Sequence, residues 1–153
     1  MRPALAPRFP VHVTWRMEKR VWSLRTQRCF SVLRRAMYAG ALKSGFCLVH
    51  YAVMRNHVHL IVEAPNRLRL SRGMQGLGIR IARALNRVMA RGGRVIADRY
   101  HAHILRTPSE VTRARAYLLT NSQHHYGYVA PDAYASGAAV IAPRTWLLRR
   151  APL

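Results

Sequence analysis

His57-Val58-His59 places two imidazoles two residues apart in the run Val53-Met54-Arg55-Asn56-His57-Val58-His59-Leu60-Ile61-Val62, most of which is apolar. In a β-strand alternate side chains share a face. The two rings then stand about 7 Å apart along one side of a sheet, a separation that lets them converge on one metal ion. Further on, Tyr117 and Asn121 are four residues apart, which on a helix puts them on one face, about 6 Å from each other. Two imidazoles and one amide oxygen leave coordination positions open for water and phosphate oxygens, a donor set suited to Mg2+ or Mn2+. Each feature also has a plain structural reading. His101-Ala102-His103 repeats the histidine spacing, so the pattern alone equally describes histidines that face water or bond within a sheet. Tyr117 alone reads as a packed tyrosine, with Tyr126 and Tyr128 close by, and Asn121 as an amide bonded to helix backbone.

The elements that must position these residues follow from periodicity and punctuation. Phe9 to Met17 alternates as a strand, with His12, Thr14 and Arg16 against Val11, Val13 and Trp15. Gln27 to Lys43 has the spacing of a helix, with Phe30, Leu33, Met37 and Ala41 on one side and Gly45 ending it. Phe46 to Met54 and His57 to Glu63 are strands joined only by Arg55-Asn56, so they form an antiparallel hairpin. Leu70 to Arg91 carries a helical apolar stripe (Leu70, Met74, Leu77, Ile81, Leu85, Val88), capped by Ser71 and ended by Gly92-Gly93. Gly73, Gly76 and Gly78 weaken its first turns by about 1 kcal/mol each, which leaves loop as an alternative there. A strand follows within residues 94–106, clearest from His101 to Leu105. Thr107-Pro108-Ser109-Glu110 is a capping box with Pro at the first helical position, starting a helix that runs to about Tyr126, with Gly127 beyond it. Val111, Ala114 and Leu118 share the side of Tyr117 and Asn121, so that face is expected to pack on the sheet. The order strand, helix, strand, strand, helix, strand, helix fits an α+β ferredoxin-like sandwich, an antiparallel sheet with helices on one face plus one extra C-terminal helix. Residues 1–127 are read as the catalytic domain. Residues 128–153, rich in Ala and Pro and ending near Arg149-Arg150, are read as a flexible or loosely docked basic tail.

Composition narrows the function. The 153 residues suit one domain with a proper core, and half of them are hydrophobic. Twenty-six Lys and Arg face five acids, a formal net charge of +21. Such an imbalance repels itself unless a polyanion is near, and nucleic acid is the commonest one. Lys occurs only at positions 19 and 43, so the basic residues are almost all Arg, whose planar fork grips phosphate and stacks on bases. On the second helix Arg80, Arg83, Arg87 and Arg91 form a basic stripe opposite the apolar one, without interleaved acids, and are expected to contact DNA phosphates. The five acids, Glu18, Glu63, Asp98, Glu110 and Asp132, are scattered, which argues against two-metal nuclease chemistry and its clustered carboxylates. Cys29 and Cys47 form no close pair, so no zinc ribbon or disulfide framework is indicated. Residues 1–10 lack the apolar run of a signal peptide and no stretch has the length of a membrane span, so the cytoplasm is the expected location and no membrane partner is expected.

Arg55-Asn56-His57-Val58-His59-Leu60-Ile61-Val62, then Asp98-Arg99-Tyr100-His101, then Tyr117-Leu118-Leu119-Thr120-Asn121 resemble the single-tyrosine HUH transposases of bacterial insertion sequences, and most closely the REP-associated tyrosine transposases. HUH denotes His, a bulky hydrophobic residue, His, which Val58 satisfies. The resemblance covers roughly residues 8–127. It implies that His57, His59 and Asn121 hold a divalent metal and that Tyr117 is the nucleophile. Ser122 departs from the family, which has Pro after the Asn, and this bears on where the helix ends. The resemblance further implies cleavage and rejoining of single-stranded DNA, hairpin-bearing in relatives, through a 5′-phosphotyrosine. The metal would act as a Lewis acid and stabilise a phenolate whose ordinary pKa is about 10. Energy kept in the covalent link makes the step reversible without ATP. Relatives include monomers and homodimers, and both remain open. Two rival readings are a non-catalytic nucleic-acid-binding module on the same sheet and a metal-dependent hydrolase that uses water as nucleophile.

Overall fold

The structure, a computed structural model, describes residues 4–126 and 132–150; for residues 121–126 it describes the backbone alone. The elements are β1 (Val11–Arg16), α1 (Gln27–Ala39), β2 (Leu42–Lys43), β3 (Phe46–Val53), β4 (His57–Glu63), α2 (Arg67–Val88), β5 (His101–Ile104), α3 (Pro108–Tyr126) and α4 (Trp146–Arg150). The strands form one antiparallel sheet in the order β2-β3-β4-β1-β5. Without the two-residue β2, this is the strand order of a ferredoxin-like sandwich. Alternation divides the side chains between two layers. Val11, Val13, Trp15, Leu60 and Val62 pack beneath α1 and α2 with Leu33, Met37, Met74, Leu77 and Ile81. Val49, Ala52 and Ile61 face the other way, against Val111, Ala114 and Leu118 of α3 and Leu147 and Leu148 of α4. The extra helix therefore covers the face opposite α1 and α2.

Three sequence expectations change in the structure. The first helix does not reach Lys43: it ends at Ala39 with Gly40 as cap, and Leu42–Lys43 pair with Cys47 and Phe46. The cause is the turn between them, Ser44-Gly45, where φ is 48° and 87°. Positive φ at both central residues gives a two-residue turn whose twist matches the strands it joins, so residues 42–43 are drawn into the sheet. The second helix begins earlier than expected, at Arg67, capped by the Asn66 side chain accepting from the Arg69 N–H at 2.9 Å, with Ser71 inside the helix. At two of its glycines, Gly73 and Gly78, the neighbours leave no room for a side chain, whereas Gly76 faces open space. A Cβ on Gly73 would lie 2.2 Å from Phe46, and one on Gly78 2.8 Å from Trp15. That closeness seats α2 on the sheet and offsets a poor helix propensity.

The third change is the tail. Residues 132–150 are docked on the protein. Asp132 accepts both guanidinium arms of Arg25 at 2.9 and 3.1 Å in a buried pair, and Arg25 also donates to the Val53 carbonyl and lies over the Tyr134 ring. The Tyr51 carbonyl accepts from the Ser136 N–H, and the Val49 carbonyl from the Val140 N–H. Glu63, buried at the end of β4, accepts the backbone N–H groups of Arg144 and Thr145 just before α4. Leu147 and Leu148 then close the second core. Gly127, expected to end α3, lies outside the described residues.

His50 is buried between this segment and α3, with Nδ1 3.3 Å from Ser136 Oγ. Burial, helped by the nearby Arg115, pushes its imidazole down to about 4. An unfolded chain takes up this proton below the ordinary histidine value of about 6.5, while the folded chain refuses it until about pH 4. Stability from this group is therefore complete above about pH 6.5 and is lost as the pH falls towards 4. We expect His50→Gln to reduce the drop in unfolding free energy between neutral pH and about pH 4.5 by on the order of 2 kcal/mol. Urea titrations at both pH values check this, and an equal drop in both proteins would contradict it.

Candidate active site and nucleic-acid interface

Pairing register assembles the site. In the antiparallel β1–β4 pair, Thr14 lies opposite His59, Arg16 opposite His57 and His12 opposite Ile61; on the other side of β1, His12 faces His103 and Thr14 faces His101. His12, His57, His59, His101 and His103 thus share one face of the sheet, the face that α3 crosses. The hairpin that delivers His57 is held from outside. Met17 N–H donates to the Asn56 carbonyl and Leu24 N–H to the Arg55 carbonyl, both at 2.9 Å. These bonds explain how Arg55-Asn56 makes a firm turn without favoured turn residues.

The His57 and His59 rings lie 4.9 Å apart, centre to centre, nearly perpendicular. This is closer than their strand spacing, because the rings tilt towards each other. His57 Nδ1 is 2.8 Å from Asn56 Oδ1, and His59 Nδ1 is 3.2 Å from both His12 Nε2 and Thr14 Oγ1. An amide oxygen only accepts, so His57 carries its proton on Nδ1 and its lone pair on Nε2. Burial, and then the neighbouring His103, lower the pKa of His12 and keep its ring neutral. In the tautomer in which His59 Nδ1–H donates to His12 and Thr14, the His59 lone pair stands on Nε2.

The capping box that starts α3 forms as its sequence specifies: Glu110 N–H donates to Thr107 Oγ1, and Glu110 Oε2 accepts from the N–H groups of Thr107 and Arg106. From this fixed start, Val111, Ala114 and Leu118 bury against β3 and β4, and Tyr117 projects beside the histidines. Its ring centre is 5.1 Å from that of His59 and 6.0 Å from that of His12, and the residue is 41% exposed. Asn121 stands one helical turn further along α3; its side chain lies outside the described residues, as do those of Tyr126 and Tyr128. His101 and His103 are exposed on the edge strand, and His103 Nε2 is 3.7 Å from Glu110 Oε1.

Among the described residues no acid enters the site. Glu18 pairs with Arg94, Asp98 with Arg16 and Asp132 with Arg25, while Glu63 and Glu110 bind backbone N–H groups. Among the described residues no group of three His, Cys, Asp or Glu is placed to hold a metal ion.

The basic stripe lies elsewhere. Arg80, Arg83 and Arg87 join Arg35 of α1 around a cleft of about 580 Å³ between α1 and α2, floored by Val32, Ala36 and Ala84. These helices cover the sheet face opposite Tyr117. Arg91 does not continue the stripe. α2 ends at Val88, and Arg91 turns back to donate to the carbonyls of Gly92 and Arg94. Sequence reasoning offered Arg35 only as an alternative phosphate contact, with Arg34, Arg149 and Arg150, because it sits on another helix. The same reasoning missed His12 and Thr14, whose alternation was visible but whose partner strand was not.

A ferredoxin-like sheet with two histidines on a central strand, a helix-borne tyrosine beside them and a strongly basic surface defines a nucleic-acid-processing domain. The chain belongs to the IS200-like transposase family, whose model matches residues 7–120. In fold it is similar to a REP-associated tyrosine transposase solved bound to a REP hairpin, with a TM-score of 0.72 and 17% identity over 89% of this chain and 80% of that one. A putative transposase from Deinococcus radiodurans R1 is 22% identical, with a TM-score of 0.47, over 80% of this chain and 93% of that one. No curated protein matches. No helix among the described residues is long and apolar enough to cross a membrane.

Proposed function

We propose that this transposase cuts and rejoins single-stranded DNA through a 5′-phosphotyrosine at Tyr117, with a divalent ion, Mg2+ or Mn2+, held by His57, His59 and Asn121. The observation that carries this reading is the Tyr117 ring 5.1 Å from that of His59, which itself lies 4.9 Å from that of His57. Bound there, the ion would polarise the scissile phosphate as a Lewis acid. The chain's own part is positional. β4 holds the two imidazoles on one face, where the tautomers that donate from Nδ1 turn both Nε2 lone pairs to the ion. α3 presents Tyr117 beside these imidazoles with the residue 41% exposed, so its phenol proton has a path to solvent. Tyr117 Oη then bonds to phosphorus as the bond from phosphorus to the 3′-oxygen breaks, and the departing oxygen takes up a proton. A later 3′-hydroxyl attacking the phosphotyrosine reverses these changes and joins new ends. The REP hairpin on the structurally similar transposase supports a hairpin-bearing strand as substrate. A protein–DNA adduct that survives denaturation, formed with single-stranded DNA and Mn2+, tests the reading; strand scission with no such adduct would favour water as nucleophile.

The three stripe arginines of α2 are proposed to track the DNA backbone. Each phosphate contact releases counterions, so Arg83→Ala with Arg87→Ala should flatten the slope of log affinity against log salt by roughly 1.4, about 0.7 per contact. The weakening should be similar for every sequence, since phosphate contacts do not read bases. Anisotropy titrations at several salt concentrations measure this; an unchanged slope would assign binding to other arginines.

His12 acts on the proposed metal through His59. With its ring contact to His59 Nδ1 removed, His12→Ala should weaken Mn2+ binding by about tenfold, the lower end of what outer-shell partners contribute. Calorimetric titration of Mn2+ checks this without any turnover. Unchanged affinity would leave Thr14 as the partner that orients His59.

A further inference from the structure

A second cleft, of about 860 Å³, opens between the first half of α2 and the edge strand β5. Its floor is apolar, from Val11, Leu70 and Ile104. Tyr100 lines one side, its ring fixed edge-on to Trp15 at 6.2 Å. On the other side Ser71 and Gln75, four residues apart on α2, present a hydroxyl and an amide, both exposed to the cleft. Arg67 and Arg99 stand on the rim, and no carboxylate is among the lining residues. An aromatic wall, an apolar floor, an amide that both donates and accepts, and two cations outside are the complement of one nucleotide: a flat ring with polar edges, attached to phosphates.

The cleft is also well placed. His101, at its border, lies opposite Thr14, which lies opposite His59. The cleft lies on the α2 side of the sheet and His59 on the α3 side, so two strand spacings, roughly 10 Å along the sheet, and the thickness of the sheet separate them round the β5 edge. A duplex is too stiff to turn so short a corner. A single strand can follow it and splay out a base.

We propose that the α2–β5 cleft receives one unstacked base of a single DNA strand that passes round the β5 edge from the cut, with the base against Tyr100, its edge bonded by Gln75 and Ser71, and the flanking phosphates held by Arg67 and Arg99. This rests on the reading that the chain handles single-stranded DNA. The test is ultraviolet cross-linking of the full chain to a short oligothymidylate carrying iodouracil, after binding has been measured by anisotropy. Label is expected on the tryptic peptide of residues 100–106. It should fall at least about fivefold in the Ser71→Ala, Gln75→Ala variant, which loses the hydrogen bonds to the base edge. Binding with residues 100–106 unlabelled, or labelled equally in the variant, would overturn the cleft while leaving the DNA reading intact. Label removed by thymidine monophosphate as readily as by the oligonucleotide would make this a free-nucleotide site and also overturn it. Failure of the oligonucleotide to bind at low salt would overturn both.

Discussion

Tyr117→Phe is expected to abolish the covalent product with single-stranded DNA while leaving affinity within about twofold. The substitution removes one oxygen and keeps the ring, so the contacts to His59 and His12, at 5.1 and 6.0 Å between centres, persist. Removing the nucleophile from a covalent mechanism removes the whole step, a loss of several orders of magnitude. A phenol that is 41% exposed contributes little to the core, so the melting temperature should hardly move. Full adduct yield from the Phe variant would transfer the role to another tyrosine, with Tyr126 and Tyr128 the nearest in sequence.

The second large effect concerns the histidines. His57→Ala or His59→Ala should eliminate Mg2+- or Mn2+-dependent cleavage, whereas His103→Ala should keep most of it. All three lie on one sheet face, so position alone does not separate them. Geometry does: His57 and His59 converge at 4.9 Å, while His103 sits on the edge strand, 65% exposed and facing Glu110. His59 is buried, so its variant needs a folding control; His57, only partly buried, supplies the cleaner test. Cleavage that survives excess EDTA would refute the metal altogether.

Local signals in the sequence and long-range pairings had different fates. The capping box at Thr107–Glu110 and the β3–β4 hairpin are written in adjacent residues, and both form where the pattern puts them. The apolar side of α3, read from Val111, Ala114 and Leu118, is the side that packs, and it carries Tyr117 to the histidines. What was hidden depends on distant partners. Gly73 and Gly78 look like helix breakers until Phe46 and Trp15 are set against them. Composition suggests a loose tail after residue 127, yet Asp132 meets Arg25 and Thr145 meets Glu63 across 107 and 82 residues of sequence. The alternation of His12 with Thr14 shows that they share a face, but only the β1–β4 register shows that the face is that of His59. The Arg stripe was legible as far as Arg87 and was carried too far at Arg91, because Ala90, at φ 51°, turns the chain out of the helix.

The central claim is that Tyr117 becomes joined to DNA, and mapping that bond by mass spectrometry tests it most directly. The full chain is incubated with a hairpin-bearing single strand and Mn2+, denatured, and digested with protease and nuclease. The account predicts a nucleotide remnant on the peptide containing Tyr117, linked through a 5′-phosphate, together with a free 3′-hydroxyl on the released strand. A cut strand with an unmodified 5′-phosphate and no tyrosine adduct, or a remnant on a different tyrosine, would contradict it.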